Sequence, residues 1–294
     1  MIRYICNIGG IKIGVFHIAK ALLQPTLSAS FITEDFPVDI VLEVKIVEHI
    51  DEVELEGYDI RSSVWKLKVM PDGFRFCFFD KNRSVALMFL NRDYSVCRLS
   101  IVNDEMHDIL PPLYVMHIIL SGYMTLNRIG FMFHGSLVEI NGSGIVLTGE
   151  SGAGKSTLSE LLSQKGYRKV GDDRLILTFS KDGSGAVCYS TPFDYKKGEG
   201  VLSCLKVMAI VKLSHSNNAE NRIVASNMRN SMSRLIMSNL LPLHTPDFLA
   251  PHFSLCEAIL GSIPFFLFAF LPDMSSVNKL EDFLIENEFM ERHN

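Results

Sequence analysis

Over its first hundred residues the chain alternates apolar and polar positions in short runs. VDIVLEVKIVEHI does so over part of its length, and SVWKLKVM, FRFCFFD, SVALMFLN and YSVCRLSIV follow, separated by PDG, DKNR and NRD. Period-two runs punctuated by Pro, Gly, Asn and Asp predict short strands joined by tight turns, an antiparallel meander over residues 1 to about 105. The period then changes. In DILPPLYVMHIILSGYMTLNRIG, Pro111 and Pro112 suit a helix start, and Leu113, Met116, Leu120 and Met124 share one helical stripe. No Ser/Gly linker follows, so the expected organisation is a β-rich N-terminal domain over 1–108 and a second domain over 109–294.

From Gly130 the pattern reads strand, turn, strand, loop, helix. FMFHGSLVEI predicts one strand and GIVLTG the next, joined through NGSG; Lys155 to Gln164 sets Leu158, Leu161 and Leu162 at helical spacing, with Gly166 as the stop. YRKVGDD and RLILTFS predict consecutive strands, KDGSG turns the chain into AVCYSTPF, and residues 205–213 predict another strand. Helices are expected over 228–241 and 277–291. The apolar run IPFFLFAFL, Ile263 to Leu271, is far shorter than the ~20 residues a membrane span needs and reads as a buried strand. Strands mixed with helices behind a strand-only front give an α/β class, α+β overall.

Composition removes several functional classes. With 48% hydrophobic and 21% charged residues the chain can build a core, and its net charge of −5 comes with no clustered Lys/Arg face. Neither nucleic acid nor an anionic membrane is the expected partner. Six scattered cysteines without a CxxC pair predict reduced, mostly buried thiols rather than a zinc site or a disulfide framework. The opening MIRYICNIGGIKIGVFHIAK is interrupted by Asn7, Lys12 and His17, so no signal peptide is expected and the location reads as cytoplasmic.

The chemistry is concentrated in one stretch. Gly149-Glu150-Ser151-Gly152-Ala153-Gly154-Lys155-Ser156, followed by Thr157, meets the pattern G-x-x-x-x-G-K-S/T between a strand and a helix. Its glycines let the backbone curl so that N–H groups face an anion, and the helix N-terminus adds its dipole. Lys155 can reach the outer phosphates of a nucleoside triphosphate, and the Ser156 hydroxyl can ligate Mg²⁺. Downstream lie Asp172 and Asp173. If extended, they point to opposite sides, one toward the metal and the other toward an attacking hydroxyl whose proton it can accept. The bland reading of the pair is an exposed turn, because GDD is good turn chemistry. His134 is either a structural strand histidine or a partner of this site, and the other eight histidines read as surface or core.

In order and spacing, Phe133 to Leu177 resembles the catalytic core of the HPr kinase/phosphorylase family. That family has an HG-x-L-V strand, a short turn, a strand leading into G-D/E-S-G-x-G-K-S, an apolar helix, G-H/Y-R-x-V and then DD. The counterparts here are HGSLVEI, GESGAGKS, KGYRKV and GDDR. The resemblance implies ATP- and Mg²⁺-dependent phosphorylation of a Ser hydroxyl on a peptide or protein. It implies Asp173 as general base, His134 assisting that carboxylate, and Asp172 with Ser156 near the metal. The implied fold is the HPr kinase/phosphoenolpyruvate carboxykinase-like P-loop type.

The chain departs from the family in three places. Where the family has E-I-R-G-L-G with a metal-linked Glu, PFDYKKGEG places Tyr195, and Asp194 and Glu199 are both open as replacements. No counterpart of the C-terminal substrate loop is legible, and the front domain is β-rich. These departures resemble a divergent branch that includes lasso-peptide precursor kinases, which implies a Ser-bearing peptide partner. A kinase for a sugar or amino-acid hydroxyl and a non-catalytic nucleotide sensor are the alternatives. A GTPase is disfavoured because NKLED carries Glu281 where guanine recognition needs Asp, and a transporter ATPase because no LSGGQ-like signature occurs. Oligomeric state is open, a homo-oligomer included.

Overall fold

The computed structural model describes residues 2–16, 29–51, 57, 60–61, 65–80, 83–102, 112–193, 202–216, 220–226 and 246–289. Two compact units emerge, Met1–Asn127 with Leu241–Thr245, and Arg128–Leu240 with Pro246–Asn294. The division falls after Asn127 rather than near 108, so the helix expected to open the second domain groups with the first.

In the first unit the strands are β1 (Ile2–Ile8), β2 (Ile11–Phe16), β3 (Ile32–Thr33), β4 (Ile40–Val47), β5 (Ile60–Arg61), β6 (Trp65–Met70), β7 (Gly73–Asp80), β8 (Arg83–Asn91) and β9 (Val96–Val102). They form one sheet in the order β3-β1-β2-β4-β9-β8-β7-β6-β5. From β5 to β9 neighbours pair antiparallel in chain order, which is the expected meander. β4 corrects the rest: it runs parallel to both β2 and β9. Alternation fixes the face each side chain takes but leaves the partner edge open. Ile40, Leu42 and Val44 are buried on β4, and register sets Leu42 and Val44 beside the buried Cys97 and Leu99 of β9.

Helix α1, Pro112–Leu126, was expected to bury one stripe. Instead Val115 to Leu120 are all buried, as for a helix enclosed on every side. At Gly122 a Cβ would lie 2.1 Å from the Tyr94 ring, so only glycine permits that approach.

The second unit contains β10 (Gly130–His134), β11 (Ser136–Ile140), β12 (Ser143–Thr148), α2 (Lys155–Gln164), β13 (Arg168–Gly171), β14 (Arg174–Phe179), β15 (Ala186–Ser190), β16 (Cys204–His215), β17 (Arg222–Ala225), α3 (Pro246–Gly261), β18 (Phe265–Phe270) and α4 (Met274–Glu286). The sheet order is β10-β14-β15-β16-β12-β11-β13, with β18 on β16 and β17 on β18. β12, β16 and β18 are mutually parallel, and the other pairings are antiparallel.

Residues adjacent in these strands take opposite faces and build two cores. Leu137, Val146 and Ile210 pack with Leu255, Cys256, Ile259 and Leu260 of α3. Their neighbours Val138, Ile145, Leu147 and Val211 pack with Leu158 and Leu162 of α2 and Val277, Leu280 and Leu284 of α4. Leu158 and Leu162 are fully buried. Each such burial contributes roughly 1.5–3 kcal/mol, which fixes α2 and the loop ahead of it to the sheet.

Two expectations change here. The strand expected over 131–140 is broken at Gly135: β10 pairs with β14, whereas β11 pairs with β12 and β13. A Cβ on Gly135 would stand 2.8 Å from the Leu147 carbonyl oxygen, so the crossing from one partner strand to another needs glycine. The last helix starts at Met274 rather than 277, because Asp273 caps it by accepting from the Ser275 N–H at 2.8 Å. The helix expected over 228–241 lies outside the described residues, as do Asp194, Tyr195 and Glu199. Five of the six cysteines are buried and Cys204 is exposed. Among the described residues no helix is long and apolar enough to cross a membrane.

Candidate functional site

The loop between β12 and α2 carries the glycine-rich stretch Gly149 to Ser156. Gly149, Gly152 and Gly154 have φ of 152°, 80° and 92°, backbone that side-chain-bearing residues rarely adopt. A Cβ on Gly154 would fall 2.4 Å from the Phe270 ring, and one on Gly149 would fall 2.9 Å from the Leu213 carbonyl oxygen. Gly154 caps α2 in a left-handed conformation without a side-chain hydrogen bond, and the first turn holds no acidic residue. The first-turn N–H groups of α2 therefore receive no side-chain cap, and the helix dipole adds positive potential at the same place. Glu150, Ser151, Gly152, Ser156 and Thr157 are exposed, while Ala153 is buried beneath them.

Lys155 is 8% exposed and folds back over the loop, donating to the carbonyls of Gly149 at 3.0 Å and Glu150 at 3.1 Å. Burial lowers its pKa, and the carboxylates of Asp172 and Asp173 act against that shift. The ammonium is thus held above the loop by weak acceptors, which a stronger anion can replace.

Asp172 and Asp173 follow the end of β13 and are not extended. Asp173 has φ of 66°, and Arg174 N–H closes the turn onto the Asp172 carbonyl at 2.9 Å. The carboxylates do diverge, but a turn separates them and not a strand pleat. The Asp172 carboxylate accepts from the buried Ser136 hydroxyl, from Lys169 Nζ at 2.6 Å and from the Ser156 hydroxyl at 3.4 Å. Burial pushes its carboxyl up, yet the hydrogen bonds from Lys169 and Ser136 leave it below the usual range. Asp173 Oδ1 accepts from His134 Nδ1 at 3.0 Å. That hydrogen bond, opposed by burial and aided by the nearby charges of Arg174 and His134, lowers the Asp173 carboxyl.

The break at Gly135 is what aligns these groups. His134 ends β10, Gly135 N–H donates to the Asp173 carbonyl at 3.2 Å, and Thr148 at the end of β12 donates to the His134 carbonyl at 3.4 Å. Lys155, Ser156, Asp172, Asp173 and His134 are therefore gathered at one end of the sheet.

Four contributors escaped the sequence reading. Ser136 was legible only as a polar residue in an apolar strand, and Lys169 only as an i,i+3 neighbour of Asp172. Arg174 stood within the quoted GDDR without a role. His215, set aside with the other histidines, donates from Nε2 to the Gly152 carbonyl at 2.8 Å and stacks on Phe270 with centroids 6.1 Å apart.

Residues 129–188 match the family model described as the HPr Serine kinase C-terminal domain. That segment is HPr kinase-related. It is 53% identical over 49 residues to the HPr kinase/phosphorylase of Lactobacillus acidophilus, a match spanning 17% of this chain and 15% of that relative. With the HPr kinase/phosphorylase of Chloroherpeton thalassium it shares 44% over 46 residues, 16% of this chain and 14% of that one. The likeness thus covers a small part of either relative. The structure of the Hpr(Ser) kinase/phosphatase from Coxiella burnetii aligns with 54% of this chain and 95% of its own at 16% identity and a TM-score of 0.30.

Proposed function

We propose that the protein is an ATP- and Mg²⁺-dependent kinase that phosphorylates a Ser hydroxyl of a peptide or protein, a lasso-type precursor peptide being the preferred acceptor. The observation that carries this reading is the divided aspartate pair beside the loop: Asp172 meets Ser156 and Asp173 meets His134.

The residues fit the implied groups. Uncapped N–H groups and a buried ammonium suit a polyphosphate. The Ser156 hydroxyl and the Asp172 carboxylate lie together and offer the oxygen donors Mg²⁺ takes, with phosphate oxygens and water to complete its shell. Bound Mg·ATP supplies the γ-phosphoryl group. Lys155 would exchange its two carbonyl partners for phosphate oxygens. Lys169 and Ser136 hold Asp172 ionised and oriented.

Asp173 is ionised at neutral pH and keeps one oxygen engaged by His134, leaving the other to accept the proton of the attacking hydroxyl. A donating Nδ1 fixes His134 as the group that orients this carboxylate. The phosphoenolpyruvate carboxykinase-like fold and a cytoplasmic location belong to the same proposal.

Intact-mass measurement of candidate acceptors after incubation with protein, ATP and Mg²⁺ tests it. Short Ser-bearing peptides encoded beside the gene, HPr, sugars and free amino acids form the panel. Gain of one phosphoryl on a peptide, abolished by Asp173→Asn, supports the reading. Transfer to a sugar or amino acid instead replaces the acceptor class, and tight ATP binding without transfer supports a nucleotide sensor.

A further inference from the structure

Arg174 opens β14 directly opposite His134 of β10, so both side chains leave the same face of that strand pair. Their neighbours Phe133 and Leu175 turn the other way, into the core under α3. The backbone of Arg174 is clamped on both sides: its N–H donates to the Asp172 carbonyl at 2.9 Å, and its carbonyl accepts from Thr191 Oγ1 at 2.5 Å. Its side chain is different at one atom. Nε is buried and has no hydrogen-bond partner among the described residues. Its charge nonetheless lowers the neighbouring Asp173 carboxyl.

A guanidinium donor buried without a partner is unfavourable, and here the chain fixes the backbone that carries it. The planar N–H fork of arginine matches phosphate oxygens two at a time. We propose that Arg174 binds the transferring phosphoryl group, engaging its non-bridging oxygens as the group passes to the acceptor hydroxyl. This rests on the kinase reading above. As the hydroxyl oxygen bonds to phosphorus, its proton moves to Asp173 and the bond to the ADP oxygen breaks. The charge spread over the three equatorial oxygens of the group in flight then meets the planar guanidinium fork. The interaction is therefore stronger in the transition state than before it, which is the requirement for raising kcat.

The test needs no acceptor. ADP binding is measured with Mg²⁺ alone and with Mg²⁺ plus aluminium fluoride, whose planar anion imitates the phosphoryl group in flight. We expect fluoride to tighten ADP binding to the wild type by about 10²-fold or more, in the range one oxyanion donor supplies. Arg174→Ala and Arg174→Gln should keep the affinity for ADP and lose most of the fluoride effect, and added guanidinium should restore part of it to Arg174→Ala. A merely structural arginine would move ADP affinity and melting temperature together and show no rescue. If either variant retains the full fluoride response, or if fluoride does nothing for the wild type, the assignment is overturned. Wild type that binds no nucleotide at all overturns the kinase reading itself, so the two failures are distinct.

Discussion

Gly154→Ala isolates the physical basis of the loop without any knowledge of the acceptor. At this position φ is 92°, and an added Cβ would sit 2.4 Å and 2.8 Å from two atoms of the Phe270 ring. The left-handed backbone alone costs roughly 1–2 kcal/mol for a residue with a Cβ. Phe270 is 1% exposed and packed among Phe268, Leu213 and α2, so it has little room to retreat. Overpacking of that kind costs about 1–3 kcal/mol. The expected loss is therefore roughly 2–5 kcal/mol, read as a drop in the melting temperature of the second unit of several degrees per variant.

The double variant Gly154→Ala/Phe270→Leu separates the two contributions. It should recover the steric part relative to Phe270→Leu alone and leave the backbone part in place. Nucleotide affinity measured alongside should fall in Gly154→Ala, because the turn that aims the loop N–H groups is displaced. If Gly154→Ala melts within about 0.5 kcal/mol of the wild type, the loop is not held against Phe270 and the reasoning fails.

Lys155→Ala should abolish productive ATP binding in a direct binding assay, and an unaltered affinity would remove the loop from the site. Asp173→Asn should keep ATP binding and lower transfer by ~10²–10⁴ in single-turnover measurements. Should Asp172→Asn prove the more damaging change and Asp173→Asn mild, the two roles are exchanged. His134→Ala removes the hydrogen bond that keeps the Asp173 carboxyl low. The carboxyl then ionises at higher pH, and the acid limb of the transfer profile should move upward. An acid limb that stays in place would show that the pair is not coupled to transfer.

Much of the second unit was legible because its signals are local. Glycines at Gly149, Gly152 and Gly154 mark backbone only they adopt readily, and Leu158, Leu161 and Leu162 declare the helix that follows. α3 was overlooked because Pro251 lies inside it and breaks the usual reading, although Leu255, Ile259 and Leu260 still make one buried face. The position of β4 was hidden for a different reason. A strand with Ile40, Leu42 and Val44 on one face fits any edge that presents an apolar partner row, and nothing in its own residues names β9.

The site divides along the same line. Lys155, Ser156, Asp172, Asp173 and His134 sit at motif spacings, whereas their supports are joined through the fold. Ser136 reaches Asp172 only because β11 brings β13 alongside it, and Arg174 faces His134 only because β10 leaves β11 for a different partner at Gly135. One glycine therefore decides both arrangements. Were residues 131–140 a single strand, as their apolar run predicts, His134 could not end beside the Asp173 turn while Ser136 lay against Asp172. The aspartate pair would then share one set of partners. Separate partners for adjacent carboxylates are what give one a hydroxyl and lysine environment suited to a metal edge and the other an imidazole suited to a base. The chemistry proposed here depends on that chain crossing as directly as on the aspartates themselves.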